Sequence, residues 1–491
     1  MLFNSFGYAI FLPAVFLIYW ALPHKYRYIM LTAASLMFYM FGGPSYVLLI
    51  IANTFITWEA ALLTEIIEDK KKKKGVIIVS LVLCLGMLGF FKYFNFAADS
   101  FAAVCRILSV PVSNISKRIM MPAGISFFTF QAVGYLIDVY RGKISAEKNF
   151  IKYLLFVSFF PQIMSGPIGR AGELMPQLYS ERKFDEKKAS EGLRQMLWGY
   201  AKKIVLADLL TRYVDVVFDN VTEYFGLTLV FATVLFTFQI YCDFSGYSDI
   251  AIGTAKLFNI DLMTNFKSPY FSRSVKEFWS RWHISLSTWF RDYVYIPLGG
   301  NRCSEGRNYL NLLTTFLLSG LWHGANWTYV LWGALHGVYQ IAENFCHKHL
   351  AKKEYRNMKE KDIVRSVPWN IGHCILTFAM AAFAWSFFRA NSLGDIYYIV
   401  THMPRGLGHP VNSWIMMLND MGLYNRKVLE IFIYICVLMA VDFAALKINI
   451  YEAFGKLKAP LRWVVYVSLT TFVIVTALNG GTKQQFIYFQ F

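Results

Sequence analysis

The sequence predicts an all-α protein that crosses a membrane many times. Of its 491 residues, 56% are hydrophobic and only 16% are charged, whereas soluble domains average about 25% charged residues. The hydrophobic residues lie in long runs, such as 76–91, 231–240 and 463–478, and a helix of about 20 apolar residues crosses a bilayer. No change in composition divides the chain, so we expect residues 1–491 to form one membrane-embedded domain.

Clusters of lysine and arginine between the apolar runs orient the predicted spans. Counted as cytoplasmic by the positive-inside rule, they require the intervening runs to cross in pairs. About ten full crossings result, and the first lacks the features of a cleaved signal peptide. A polar loop at about 391–426 is expected on the outer side. The predicted crossings are residues 6–22, 28–40, 46–63, 75–96, 120–140, 196–214, 226–250, 369–388, 428–446 and 463–478.

The net charge of +17 is explained by these cytoplasmic clusters. No pattern of basic and aromatic residues indicates nucleic-acid binding, so membrane lipid is the expected surrounding and nucleic acid is excluded. The seven cysteines form no CxxC pair, which predicts neither a disulfide framework nor a zinc site. We expect no metal and no permanently bound cofactor.

Two apolar segments have basic residues at both ends and are predicted to be re-entrant. Residues 151–168 contain Pro161, Gly166 and Pro167. Residues 309–345 would span roughly 55 Å as one helix, which exceeds the thickness of a bilayer. This segment must therefore turn back, and Gly320–Gly324 is the predicted turn.

The predicted turn places His323 deep in the membrane. An ionisable side chain at that depth is costly and is a candidate functional group, and burial favours the neutral imidazole that can act as a base. A core histidine bonded to a neighbouring carbonyl is the alternative. His336 follows 13 residues later and would point about 220° away on one continuous helix, so we interpret it as structural.

A second histidine lies in a tryptophan-rich stretch, residues 278–292. If this stretch is one helix, His283, Ser287 and Arg291 share a face. Its tryptophans indicate a position at the membrane interface or along a tunnel. An ordinary amphipathic cytoplasmic helix is the alternative.

Five sequence blocks, taken in order, resemble the membrane-bound O-acyltransferase (MBOAT) family over residues from about 120 to 345. The extension Pro-Leu-Gly-Gly-Asn-Arg at 297–302 resembles the bacterial alginate-type polysaccharide O-acetyltransferases more than the D-alanyl-teichoic acid branch. The blocks are Met-Pro-Ala-Gly-Ile-Ser-Phe-Phe-Thr-Phe-Gln at 121–131, Phe-Phe-Pro-Gln and Ser-Gly-Pro-Ile within 159–168, Asp-Phe-Ser-Gly-Tyr-Ser-Asp at 243–249, the segment 281–302 beginning Arg-Trp-His, and Gly-Leu-Trp-His-Gly-Ala-Asn-Trp at 320–327.

The resemblance implies that His323 is the catalytic residue and that His283 is also required, with the helices arranged around a central tunnel. Acetyl-CoA is the implied acyl donor. Arginine binds phosphate bidentately, so basic residues near the second histidine are candidates for its phosphates. The candidate substrate- or donor-binding residues are Arg281, Arg291, Arg302, Trp322, Asn326 and Ser287.

The implied function is transfer of an acetyl group outward across the plasma membrane of a bacterium, onto a cell-envelope polysaccharide. Such systems need an extracytoplasmic transferase partner. D-Alanyl transfer from an acyl carrier protein toward teichoic acid is the first alternative. A lipid or polysaccharide transporter is the second, although the chain shows no internal repeat.

The chain ends in an aromatic tail, residues 486–491, expected on the outer side. The phenol of Tyr488 could carry the acyl group or dock a partner. Simple anchoring of the aromatics at the interface is the alternative.

Overall fold

The computed structural model describes residues 1–110, 119–350, 366–479 and 486, and the regular elements in these ranges are helical. The α-helices of the first half, with short 3₁₀ and π segments among them, are α1 (Phe6–Ala21), α2 (His24–Met40), α3 (Val47–Ile66), α4 (Lys70–Ile107), α5 (Ile125–Tyr140), α6 (Phe150–Ser158), α7 (Ala171–Tyr179), α8 (Glu186–Tyr200), α9 (Asp208–Phe218) and α10 (Leu227–Leu257).

The α-helices of the second half surround the Trp-His and Gly-Leu-Trp-His blocks. They are α11 (Val275–Arg281), α12 (Ile284–Phe290), α13 (Glu305–His323), α14 (Trp327–Phe345), α15 (Val367–Arg389), α16 (Leu393–His402), α17 (Pro410–Asp420), α18 (Asn425–Ala445), α19 (Ile450–Gly455) and α20 (Ala459–Asn479).

These helices form two compact units. The first comprises Met1–Met196 and Tyr247–Met263, and the second comprises Leu197–Gly246 and Thr264–Phe491. Both candidate histidines of the sequence belong to the second unit.

Six helices in the described part of the chain are long and apolar enough to cross a membrane, and each overlaps a predicted crossing. α1 and α5 are apolar but shorter. The all-helical membrane architecture is therefore as predicted. The six are Pro44–Ile66, Lys70–Ile107, Leu227–Leu257, Val367–Arg389, Asn425–Ala445 and Ala459–Asn479.

The predicted hairpin within residues 309–345 is present, but its turn lies at residues 324–326 and not at Gly320–Gly324, because the helix continues to His323. α13 ends at His323 and α14 begins at Trp327, so the two helices form a hairpin. Their backbones touch: a Cβ atom on Gly320 would lie 2.2 Å from the Tyr329 carbonyl oxygen. Real Cβ atoms do not approach that closely, so glycine is required where the helices cross, and His323 is held at the tip of the hairpin.

Residues 151–168 also break as predicted, within the first unit. α6 ends at Ser158, and non-helical backbone follows. The side-chain amides of Gln131 and Gln162 both donate to the Phe156 carbonyl, over 2.6 and 2.8 Å. Irregular backbone at membrane depth requires such internal partners. A Cβ on Gly166 would lie 2.4 Å from the Gln162 Cα atom, which explains the glycine at this bend.

The connection predicted as a polar loop at 391–426 is largely helical, because it contains α16 and α17. α16 begins with a capping box, in which Ser392 and Asp395 satisfy each other's backbone N–H groups. α17 begins at Pro410, whose fixed backbone angle suits a first helical turn. Both signals are local, so the loop prediction was wrong where capping chemistry indicated helix.

A π-helical segment of the second unit, Ala201–Ala207, directly follows α8 and leads into α9. Ala201 and Val205 of this segment pack against Val473 of α20. Wider helical turns of this kind occur frequently at functional sites, and this segment carries Lys202 and Lys203.

Candidate functional site

The two histidines selected from the sequence lie together in the second unit. The centroids of the His283 and His323 rings are 6.4 Å apart. Both residues are buried, with 0% and 4% of their surface exposed. Two imidazoles from chain positions 40 residues apart thus face one small region.

His283 lies at a break between two helices, not within one. Its φ of +43° is left-handed, and α12 begins at the next residue. Asn265 holds the break: its carbonyl accepts from the Ile284 N–H over 3.0 Å, and its Oδ1 accepts from the Ser285 hydroxyl over 2.7 Å. Residues 278–292 therefore do not form a single helix, so the condition for a shared helical face is not met.

The predicted shared face of His283, Ser287 and Arg291 changes accordingly. The Ser287 N–H still donates to the His283 carbonyl over 2.9 Å. Its hydroxyl instead donates to the Trp282 carbonyl over 3.1 Å. Arg291 begins a second π-helical segment, Arg291–Tyr295. Ser287 therefore supports the backbone turn that positions His283.

Aromatic rings enclose both imidazoles. The His323 ring lies 5.0 Å from Trp332 and 5.4 Å from Phe388. The edge of the His283 ring meets Phe244 at 4.5 Å. None of these three aromatic residues was selected from the sequence. Rings of this kind exclude water, which strengthens electrostatic interactions inside the site.

Burial also sets the protonation state of His283, which lies outside the six candidate spans. Loss of hydration lowers its pKa to about 3. The imidazole is therefore neutral at physiological pH, and it can accept or share a proton. No group of three or more His, Cys, Asp or Glu side chains suited to a metal ion occurs within the ranges that the structure describes.

A buried ion pair supports the segment around Phe244, the aromatic residue that contacts His283. Lys203 Nζ lies 2.5 Å from Asp243 Oδ1 and 2.9 Å from Asp208 Oδ1. Lys202 donates to the Ser245 hydroxyl over 2.8 Å. Two lysines of the π segment thus bind the residues on either side of Phe244. These contacts join the π segment to α10.

Trp322 contacts both histidines, with ring centroids 6.0 Å from His283 and 5.0 Å from His323. Asn326 serves the hairpin. Its side chain accepts from the Thr328 N–H over 3.0 Å to cap α14 and donates to the Asn391 carbonyl over 3.0 Å. Of these two sequence candidates, Trp322 lies directly at the histidines.

Of the three candidate arginines, Arg291 and Arg302 are exposed, whereas Arg281 is partly buried. Arg281 donates to Glu277 over 2.7 Å, and Arg291 to Asp292 over 2.8 Å. Arg302 is exposed in the loop between the second π segment and α13.

The predicted acyl carrier, Tyr488, lies outside the described residues. Two positions earlier, Phe486 is buried, with 3% of its surface exposed, and its ring lies 5.9 Å from Phe244. Phe244 is the residue that contacts His283. The aromatic tail therefore approaches the histidines at its first residue.

Comparison with known proteins bears on this geometry. Residues 143–380 match the family model described as MBOAT, membrane-bound O-acyltransferase family. This range includes both histidines, the π segment and the α13–α14 hairpin.

Individual relatives match over greater lengths. The chain is 37% identical to a probable alginate O-acetylase of Pseudomonas aeruginosa, over 78% of this chain and 71% of that protein. It is 34% identical to a peptidoglycan O-acetyltransferase of Helicobacter pylori, over 82% of this chain and 80% of that protein. A teichoic acid D-alanyltransferase of Streptococcus thermophilus is 31% identical over 50% of this chain and 62% of that protein.

Proposed function

Because the chain belongs to the membrane-bound O-acyltransferase family, we propose that it transfers an acetyl group outward across the membrane for O-acetylation of a cell-envelope or extracellular polysaccharide. Its donor is cytoplasmic acetyl-CoA. The relatives matched over most of their length are named for O-acetylation of alginate and of peptidoglycan. The D-alanyltransferase is matched over a shorter part of both chains.

The observation that carries the proposal is the pair of buried imidazoles 6.4 Å apart inside aromatic walls. A thioester is already activated, so the protein must position it and move a proton. Neutral His323 takes the proton of an acceptor hydroxyl as its oxygen attacks the acetyl carbonyl. The C–O bond forms, the C–S bond breaks, and the thiolate leaves. His283 orients the donor or relays to the thiolate the proton that His323 has taken.

The membrane arrangement that fits this reaction is one domain with about ten crossings and re-entrant segments around a central tunnel. The six long apolar helices and the hairpin ending at His323 support it. By the positive-inside rule, the basic clusters face the cytoplasm of a bacterium. Acetyl-CoA then enters from the plasma membrane's inner side, and the acetyl group leaves on the outer side.

The donor's outer portion is negatively charged, and the exposed arginines are suited to it. Arg291 has its side chain more than half exposed beside Asp292, and Arg302 is exposed as well. Guanidinium groups bind phosphates bidentately. Arg281 shares its guanidinium with Glu277 and is the weaker candidate of the three.

The acceptor side requires a relay or a partner. The buried position of Phe486 against Phe244 supports the Tyr488 phenol, two residues further along the chain, as the first acyl acceptor. An extracytoplasmic transferase would then carry the acetyl group to the polysaccharide.

The test uses the purified protein in detergent with radiolabelled acetyl-CoA. Wild-type protein should release the label or retain it as acetyl-enzyme, and His323→Ala should lose this activity by at least 100-fold, the lower bound for a lost general base of about 10²–10⁴. The matched control is His402→Ala, since His402 stacks on Tyr398 in α16.

Near-wild-type transfer by His323→Ala would refute the assignment. Turnover only with a D-alanyl carrier protein would move the chain to the teichoic acid branch, and transport that survives loss of both histidines would indicate a transporter.

A further inference from the structure

A third histidine lies close to the site and has no part in the function proposed above. His336 of α14 is 1% exposed. Its ring lies 5.0 Å from Trp332, and the same Trp332 ring lies 5.0 Å from His323. Because α13 and α14 form a hairpin, the predicted opposite orientation on one continuous helix does not apply. One indole therefore contacts both imidazoles.

The surroundings of His336 are aromatic. The Phe278 ring is parallel to it at 6.4 Å, with an interplanar angle of 2°, and the Phe316 ring is nearly parallel at 6.2 Å. Tyr339 meets it edge-on at 5.8 Å. Such a lining disfavours a charged imidazolium, so the ring is neutral.

One hydrogen bond fixes the tautomer. Trp279 Nε1 lies 3.3 Å from His336 Nδ1. An indole nitrogen can only donate, so Nδ1 must accept, and the proton of the neutral ring is then on Nε2. His336 therefore presents an Nε2–H donor in a fixed direction.

That donor is buried, and no residue in the described ranges accepts from Nε2. A buried N–H group without an acceptor costs free energy, which an incoming carbonyl can recover. An aromatic surrounding with one fixed donor suits a narrow, flexible ligand that carries isolated carbonyl groups.

We propose that His336 Nε2–H donates to an amide carbonyl of the donor's pantetheine arm and so holds the thioester at His323. This inference rests on the proposed function. The pantetheine arm is flexible, is unbranched between its two amide carbonyls and the thioester, and is common to CoA and to acyl carrier proteins. The His336 and His323 rings each lie 5.0 Å from the Trp332 ring, so one such arm can reach both imidazoles.

His336 is thus a donor-binding residue, and Trp279 is a positioning residue that acts through it. This assignment predicts dependence on a chemical group of the substrate. A purely structural role would affect all thioesters alike.

The experiment compares two acetyl thioesters, acetyl-pantetheine and S-hexyl thioacetate, which lacks the amide carbonyls. His336→Phe keeps the aromatic packing and removes the donor. It should lower kcat/KM for acetyl-pantetheine about 10-fold, mainly through KM, which corresponds to one hydrogen bond between uncharged groups. Activity with S-hexyl thioacetate should change less than about 2-fold. His336→Gln, whose amide can place an N–H near the same point, should restore most of the difference.

The matched control is His402→Phe, which should leave kcat/KM unchanged for both thioesters. If His336→Phe is not recovered as a monodisperse protein, Trp279→Phe provides the same comparison, with a smaller selective loss of about 3-fold because the tautomer is no longer fixed. Equal losses of activity with both thioesters, or no loss with either, would overturn the inference about His336. The proposed function would still stand in that case, because the wild-type protein turns over. Absence of wild-type turnover with acetyl-pantetheine and acetyl-CoA alike would refute the proposed function itself.

Discussion

Lys203 and Asp243 form a buried ion pair, with 2.5 Å between Nζ and Oδ1, and Asp243 immediately precedes the phenylalanine that contacts His283. The lysine lies in the π segment and the aspartate in α10. The position of Phe244 beside His283 therefore depends on two charged groups that are shielded from water.

We expect Lys203→Met to destabilise the protein by about 3–5 kcal/mol, because Asp243 is left charged and buried. Acetyl transfer should also fall as Phe244 loses its support. Thermal unfolding in detergent measures the first effect. The control is Lys188→Met, which breaks an exposed pair with Asp261 and should cost about 0–1 kcal/mol. Equal effects of the two changes would contradict the importance of the buried pair.

The burial of the His283 ring predicts that the stability of the protein depends on pH. Its folded-state pKa of about 3 lies below the ordinary value of 6.5, so between these values the unfolded chain binds a proton that the folded chain does not. Stability from this residue is therefore full above about pH 6.5 and is lost as the pH falls toward 3. His283→Asn should reduce the fall in Tm between pH 6.5 and 4.5, since asparagine tolerates the left-handed backbone and does not titrate. An unchanged slope would contradict a buried neutral imidazole.

Gly320→Ala tests the hairpin. The new Cβ would lie 2.2 Å from the Tyr329 carbonyl oxygen, so the helices must separate and His323 must move. We expect a lower Tm and a loss of transfer of about 100-fold, because displacement by about 1 Å can cost that much. Gly306→Ala is the control on the same helix, since its Cβ meets open space. Wild-type behaviour of Gly320→Ala would show that the hairpin tolerates a wider spacing.

Arg291→Ala should raise the KM for acetyl-CoA several-fold and lower kcat less, if the exposed guanidinium binds donor phosphates. The same change should leave the KM for acetyl-pantetheine, which lacks the nucleotide, unaltered. Steady-state kinetics with the two donors measure the difference. An equal effect on both would assign Arg291 to the structure of the π segment.

Tyr488→Phe should abolish acetylation of the tail. Acetyl-CoA should then be consumed only by slow hydrolysis at the histidines. Mass spectrometry of protein incubated with acetyl-CoA should find the adduct on the peptide that contains Tyr488 and not in Tyr488→Phe. Acetyl-enzyme trapped without such an adduct would leave the tail as an interface anchor.

Much of the fold follows from local sequence patterns. Apolar length and flanking charge predicted the six long spans and the hairpin within residues 309–345, because both are properties of one segment and the bilayer. The capping signals at Ser392 and Pro410 are local too, and they indicate the starts of α16 and α17.

The geometry of the site was less accessible. Both histidines could be selected from their blocks, but the break at His283 depends on Asn265, 18 residues earlier in the chain. The Lys203–Asp243 pair joins positions 40 residues apart. Trp332 was the most accessible of the missed residues: it lies between His323 and His336 in the sequence, on the helix that follows the predicted turn.

The exposed surface of α20 has a consequence for handling the protein. Among its residues only Val473 is buried, and it packs against the π segment that carries Lys203. The tilt of α20 depends on the thickness of the surrounding hydrocarbon layer, because a helix whose apolar length does not match that thickness tilts to relieve the difference. We therefore expect short-chain detergents to inactivate the protein before they unfold it, and nanodiscs of native thickness to restore activity.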